Sequence, residues 1–207
     1  SNGKTVDDTF TVTVNAVNDK PVVTAVADIT EDEGTEVTPG DISFTDVDLT
    51  DSGSTESHTA TVDWGDGSSV KDLTTVTSPF GPGSHIYSDD GEYTVTVTVT
   101  DSNNSSSQAT FTVTVKDLGP TAGFSWNPEF QNEGSEVSFT DDSTSSPDNI
   151  VSWSWNFGDE TANSTEQNSA HSYADNGSYD VILEVTDDDG TKDSISKTIT
   201  ITNVAPT

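Results

Sequence analysis

Cysteine is absent from the 207 residues, and only six residues are basic, all of them lysine. The first absence removes disulfides, thiol nucleophiles and zinc–thiolate sites together. The second, set against 37 Asp and Glu, leaves a formal net charge of −31. Such a polyanion repels phosphate backbones and anionic lipid alike, which excludes nucleic-acid binding and membrane-surface binding as functions. Long apolar runs are also missing: none approaches the roughly 18 residues of a membrane span, and hydrophobic residues make up only 29% of the chain. The opening Ser1-Asn2-Gly3-Lys4 runs straight into polar sequence, without the apolar stretch of a secretory leader.

Composition this polar is typical of disordered chains, but the order of the residues argues otherwise. Tyr93 to Thr100 alternates apolar and polar without a fault, and Phe10-Thr11-Val12-Thr13-Val14 and Phe111-Thr112-Val113-Thr114-Val115 do the same. Period two in β-branched residues marks strands with one wet and one buried face. No helical period is sustained, and Gly, Asn, Asp and Ser punctuate the runs at short intervals. The chain reads as all-β.

It also repeats. His85-Ile86-Tyr87 with Gly91 and Tyr93 recurs at the same spacing as His171-Ser172-Tyr173 with Gly177 and Tyr179, and Val99-Thr100-Asp101 recurs as Val185-Thr186-Asp187. Upstream, Trp64-Gly65-Asp66-Gly67 answers to Phe157-Gly158-Asp159-Glu160. Two units follow, 21–117 and 118–207 (the second with its exit linker), each of about seven short strands, which describes a two-sheet sandwich. Residues 1–20 match the last hairpin and strand of a unit, because Ser1 leads into Phe10 as Ser102 leads into Phe111. They are expected to be the final strand and linker of a truncated preceding domain in a longer array, or else a strand donated to a neighbouring molecule.

These motifs resemble polycystic-kidney-disease-type (PKD) domains, an immunoglobulin-like family marked by Trp/Phe-Gly-Asp-Gly, His-x-Tyr, Gly-x-Tyr and a Val-Thr-Asp strand end. The resemblance implies two tandem immunoglobulin-like sandwiches. Glu160 departs from the family glycine, so its turn is expected to differ in geometry. Val17-Asn18-Asp19-Lys20-Pro21 resembles bacterial cadherin-like linkers, and Phe44 to Asp51 resembles adhesin repeats. Val151, Trp153, Trp155 and Phe157 are expected on one core face; Trp126 shares a face with Phe124.

The acids divide evenly, 18 in residues 21–117 and 16 in 118–207, so this is no acidic tail. They cluster where strands end. In the first unit Asp46, Asp48 and Asp51 share a loop, Asp101 and Asn103 lie at the last hairpin, and Asn18 and Asp19 lie in the leading linker. In the second, Asp141, Asp142, Ser143 and Asp148 correspond, with Asp187, Asp188 and Asp189 and the linker residue Asp117. In an immunoglobulin-like sandwich these three segments approach one pole and can converge oxygen ligands there. Calcium takes six to eight oxygens in irregular geometry, which suits such a pocket better than magnesium does. Some PKD domains bind calcium with this loop arrangement, and the resemblance assigns that role to Asp19, Asp48 and Asp101, and to Asp148, Asp187 and Asp189. The competing reading is a solvated acidic coat, to which Asp7, Asp8, Glu31, Asp32 and Glu33 belong, having no obvious partners.

Catalysis finds no support. His85 and His171 occupy equivalent repeat positions and read as fold determinants, His58 reads as a loop residue, and no nucleophile, metalloprotease or phosphate-loop motif is present. The reading is a non-catalytic structural or adhesive spacer of an extracellular, cell-surface protein, of surface-layer or adhesin type, stiffened by calcium. Its partners would be neighbouring domains of the same longer chain and other copies in a surface array. The alternative is a substrate-binding accessory module of a secreted protease or glycosidase. Four N-x-Ser/Thr sequons, at Asn103, Asn104, Asn163 and Asn176, are about what chance predicts in a chain so rich in Ser and Thr.

Overall fold

The computed structural model describes residues 17–24, 26–50 and 55–204. The strand expected at residues 1–16 lies outside them, as does Asp51. What is described is all-β, apart from one 3₁₀ turn at Asp48–Thr50, and forms two sandwiches with separate cores.

The first sandwich contains β1 (Val22–Thr24), β2 (Ile29–Asp32), β3 (Glu36–Val37), β4 (Ser43–Thr45), β5 (His58–Asp63), β6 (Lys71–Val76), β7 (His85–Ile86), β8 (Gly91–Asp101) and β9 (Ser106–Lys116). One sheet runs β2-β9-β8-β5-β6; facing it are the pairs β1-β4 and β3-β7. The second contains β10 (Phe124–Asn127), β11 (Gln131–Asn132), β12 (Glu136–Asp141), β13 (Ile150–Asn156), β14 (Ser169–Ser172), β15 (Gly177–Asp187) and β16 (Lys192–Thr202). Its sheets run β11-β16-β15-β13 and β10-β12-β14. In both, the leading segment changes sheets: β1 and β10 pair with one sheet, then β2 and β11 run parallel to the final strand of the other. The extra length of the first unit lies in β6, where the second keeps only the bridge Trp155–Ser164, and in the chain that divides β3 from β4.

The period-two runs bury one side as expected. Val95, Val97 and Val99 of β8 and Phe111, Val113 and Val115 of β9 join Ala60, Val62 and Trp64 in the first core. Val181, Leu183 and Val185 of β15 join Phe124, Phe139, Trp155 and Phe157 in the second. Strand β13 breaks the rule. A register shift between Ile150 and Ser152 turns Val151 outward, 56% exposed, instead of onto the face of Trp155. Trp153 is only partly buried against the core, as is Trp126.

The repeated motifs form one aromatic assembly in each domain. Tyr87 and Tyr173 are buried, and each hydroxyl donates to the backbone carbonyl of its domain's Trp64 (2.9 Å) or Phe157 (3.2 Å). Tyr93 and Tyr179 stack on them at 4.3 and 4.4 Å and donate to the carbonyls of Asp89 and Asp175, anchoring the sandwich corner. Gly65 and Gly158 are required for two reasons: each has positive φ, and a Cβ there would meet the carbonyl oxygen of Thr94 at 2.5 Å or Asp180 at 2.6 Å. The turn at Glu160 does not differ as expected. Glu160 takes φ +62, the left-handed conformation of Gly67 at +79, because the Asp159 side chain accepts from the Thr161 backbone NH just as Asp66 accepts from Ser68.

Trp155 is fully buried. Its replacement by Ala is expected to destabilise the second domain by about 3–5 kcal/mol, with the first domain's transition unmoved in urea unfolding of the whole chain.

Candidate metal centres at the domain poles

Each of the three histidines sits against a carboxylate. His85 Nε2 lies 2.6 Å from Asp66 and His171 Nε2 lies 2.7 Å from Asp159. The rings stack on Trp64 (5.0 Å) and Phe157 (4.2 Å) and meet Tyr87 and Tyr173 edge-on. Occupying equivalent places in both domains, they clamp the Gly-Asp turn to the core. Burial pushes the Asp66 carboxyl up, but hydrogen bonds from Ser68 and His85 outweigh it and bring it down to about 2; Asp159 is lowered in the same way by Thr161 and His171. His58 is not in a loop. It opens β5, is 2% exposed, and pairs with buried Asp46 at 2.9 Å.

At the leading pole of the first domain hydrogen bonds join the linker to the last hairpin and to the loop after β4. The Asn18 side chain donates to Asp101 Oδ2 (2.9 Å) and Ser105 Oγ (2.8 Å), and it accepts from Asn103. Asp101 Oδ1 also takes the backbone NH groups of Asn103 and Ser105, both at 2.8 Å. Burial raises the Asp101 carboxyl, and these donors more than reverse it. The backbone NH of Asp19 donates to Asp48 Oδ2 at 2.8 Å, and that of Asp48 to Asp46 Oδ1 at 3.2 Å. Glu56, not anticipated from the sequence, joins Asp46 and His58 in a group whose ligand atoms lie within 4.8 Å of one another. Its carboxyl is raised by burial and by the charges of Asp46 and Asp48.

The second constellation lies where the domains meet. Oxygens of Asp117, Asp148 and Asp189 gather within 4.8 Å of one another, and a fourth comes from Glu33 of the first domain, which is 2% exposed. Glu33, expected in the solvated coat, is instead buried and partnered across the linker. It is delivered by β2: its NH donates to the Lys116 carbonyl at 3.0 Å, and its Oε1 accepts from Leu118 NH at 2.8 Å. Asp117 accepts from the Thr191 hydroxyl, and a Cβ on Gly119 would strike Thr191 at 2.5 Å, so the linker lies against the last hairpin. Glu33 Oε2, Asp117 Oδ1, Asp148 Oδ2 and Asp187 Oδ2 are buried without hydrogen-bond partners among the described residues. Burial, then Glu33 and the neighbouring aspartates, push Asp148 up to about 6; burial, then Asp148, Asp89, Asp90 and Asp117, do the same to Asp189. Asp187 turns its other oxygen to the Thr191 NH at 2.7 Å.

Asp141 and Ser143 serve different contacts. Asp141 accepts from the Trp153 indole at 2.8 Å, the Gln167 amide at 3.2 Å and the Ser143 NH at 3.0 Å. The Ser143 hydroxyl bonds the Gly123 backbone. Asp141 thus latches β12 to β13 and Ser143 ties the end of β12 to the chain before β10, whereas Asp46 in the first domain latches β4 to His58.

Two sandwiches in series with this repeated aromatic assembly define a tandem immunoglobulin-like protein. The model of the PKD domain matches residues 18–115 and again 119–203, so the chain belongs to the PKD family. Over 89 residues, 43% of its length, it is 40% identical to the pre-pro-metalloprotease PrtV of Vibrio cholerae, of which it spans 9%. Among solved structures it is similar to the PKD1 domain of that protease (38% identity, 41% of this chain and 98% of that one, TM-score 0.37). It is also similar to the PKD1 domain of Vibrio anguillarum Epp (29% identity, 42% and 96%, TM-score 0.38).

The clamps make an acid-side prediction. A carboxyl depressed in the folded state contributes stability that is complete above its ordinary value of 3.8 and is lost as pH falls toward about 2. The Asp66→Asn, Asp159→Asn double variant is expected to lose less stability than the parent on acidification through that window. Urea midpoints at a series of pH values would measure the difference.

Proposed function

We propose that this segment is a non-catalytic, extracellular accessory spacer whose loop carboxylates take calcium. The observation that carries the proposal is the convergence of linker, loop and last-hairpin oxygens, from Asp117, Asp148 and Asp189, at the pole of the second domain. Oxygen-only groups of this density favour a hard divalent cation tolerant of irregular geometry, and the junction group has no nitrogen or sulfur donor to select zinc. Of the two settings compatible with the sequence, the protease relative favours an accessory module of a secreted hydrolase over a surface-layer or adhesin stalk. The histidine–aspartate pairs support the non-catalytic part of the reading, since two of the three are absorbed in the aromatic assembly that holds the fold.

A spacer of this kind gains stiffness from ligand binding to the folded state alone. A calcium concentration a hundredfold above Kd would add about 2.7 kcal/mol per site, with Kd expected near the 10⁻⁴–10⁻³ M order of extracellular modules. Thermal unfolding in calcium, in chelator, and in sodium chloride at matched ionic strength is the test. A rise specific to calcium supports the proposal, and equal rescue by sodium overturns it by reducing the carboxylates to a screened coat.

A further inference from the structure

The loops of the second domain supply two corners of the junction cage, the linker residue Asp117 a third, and the fourth belongs to the first domain. Glu33 directly follows β2, is 2% exposed, and keeps one oxygen bonded to the linker NH of Leu118 while Oε2 has no partner among the described residues. The chain contains its own comparison. Glu133 occupies the same place in the second domain: its NH donates to Thr202 as that of Glu33 donates to Lys116, and Gly134 NH bonds Tyr173 as Gly34 NH bonds Tyr87. Both oxygens of Glu133 are bonded inside its own domain, Oε1 to Val204 NH at 3.1 Å and Oε2 to Asn176 NH at 2.9 Å. Glu33 differs only in the oxygen that meets the neighbouring domain.

Other contacts at the junction are few and steric. A Cβ on Gly34 would come 3.3 Å from Pro147, and a cleft of about 330 Å³ opens between Ser88 and Asp89 on one side and Pro147, Asn149 and Asp188 on the other. Its walls are acidic, since Asp89 and Asp90 of the first domain approach Asp189 within 4.8 Å. Like charges facing each other across a boundary drive the bodies apart unless a counter-charge sits between them.

We infer that Glu33 is a ligand supplied across the domain boundary, and that Glu33, Asp117, Asp148 and Asp189 form one calcium site whose ion fixes the orientation of the two sandwiches. This rests on the reading that the pole carboxylates take calcium, and it adds that the site belongs to the pair of domains. Four carboxylates exceed what magnesium recruits, because magnesium keeps several waters and takes one or two carboxylates.

The test uses the whole chain, with calcium titration by calorimetry and small-angle scattering in calcium and in chelator. Glu33→Gln is expected to weaken one binding event at least tenfold and to leave the calcium-loaded scattering profile as broad as the chelated parent's. Glu133→Gln is expected to change neither. If Glu33→Gln binds as the parent does while Asp148→Asn loses the event, the site is the second domain's own; the inference falls and the spacer function stands. If the parent binds no calcium, both fall. Should Glu33→Gln fail to fold by circular dichroism, Asp189→Asn probes the same cage from its exposed corner. Reduced affinity with an unchanged calcium-dependent profile would overturn the inference, and reduced affinity with loss of the compact profile would support it.

Discussion

Everything in this molecule depends on keeping 37 carboxylates off the inside of two thin cores. Period-two alternation achieves that separation. From Thr94 to Thr100 in β8 and from Thr110 to Val115 in β9, buried Val or Phe alternates with Thr, a small neutral group that fills the wet face without adding charge. Those stretches carry no acid, and the acids that become buried are displaced to strand ends and the turns beside them.

That displacement explains why the chemistry of interest sits at the ends. The buried charged groups, Glu33, Asp46, Asp101 and Asp187, lie at strand termini, where backbone NH groups of the adjoining turns can meet them. Where such donors are sufficient, as at Asp101, the carboxyl is held below its ordinary range. Where like charges outnumber donors, as at Asp148 and Asp189, it is held above. The two poles share a plan and differ in their balance of donors to acceptors: the first domain sets the amides of Asn18 and Asn103 among its carboxylates, and the second has Asp117 and Asp189 in their place.

Much of this was legible beforehand. Spacing of His-x-Tyr and Gly-x-Tyr located both aromatic assemblies, and strand-end clustering placed Asp117, Asp148 and Asp189 together. Glu33 was missed because its partners lie in the other domain, and a single acid in the run Glu31-Asp32-Glu33 carries no mark of which one is buried. A mark did exist in the repeat: Asp32-Glu33-Gly34-Thr35 answers to Asn132-Glu133-Gly134-Ser135, and an acid kept before a turn glycine in both units is unlike a random coat. The outward turn of Val151 was invisible, since a bulge inserts one residue without changing composition. Glu160 misled for the opposite reason: a hydrogen bond from the following turn compensates the left-handed strain that the missing glycine implied.

The sheet change of the leading segment has a mechanical consequence. Because β2 runs parallel to β9, with Ile29 opposite Val113 and Asp32 opposite Lys116, tension applied between the two ends of the first domain pulls these strands in opposite directions along their length. The bonds between them are loaded together in shear instead of being peeled one by one, and forced rupture is governed by the rate of that concerted step. The second domain repeats the arrangement with β11 and β16. A tether built from such units would transmit tension without lengthening until a whole ladder failed at once.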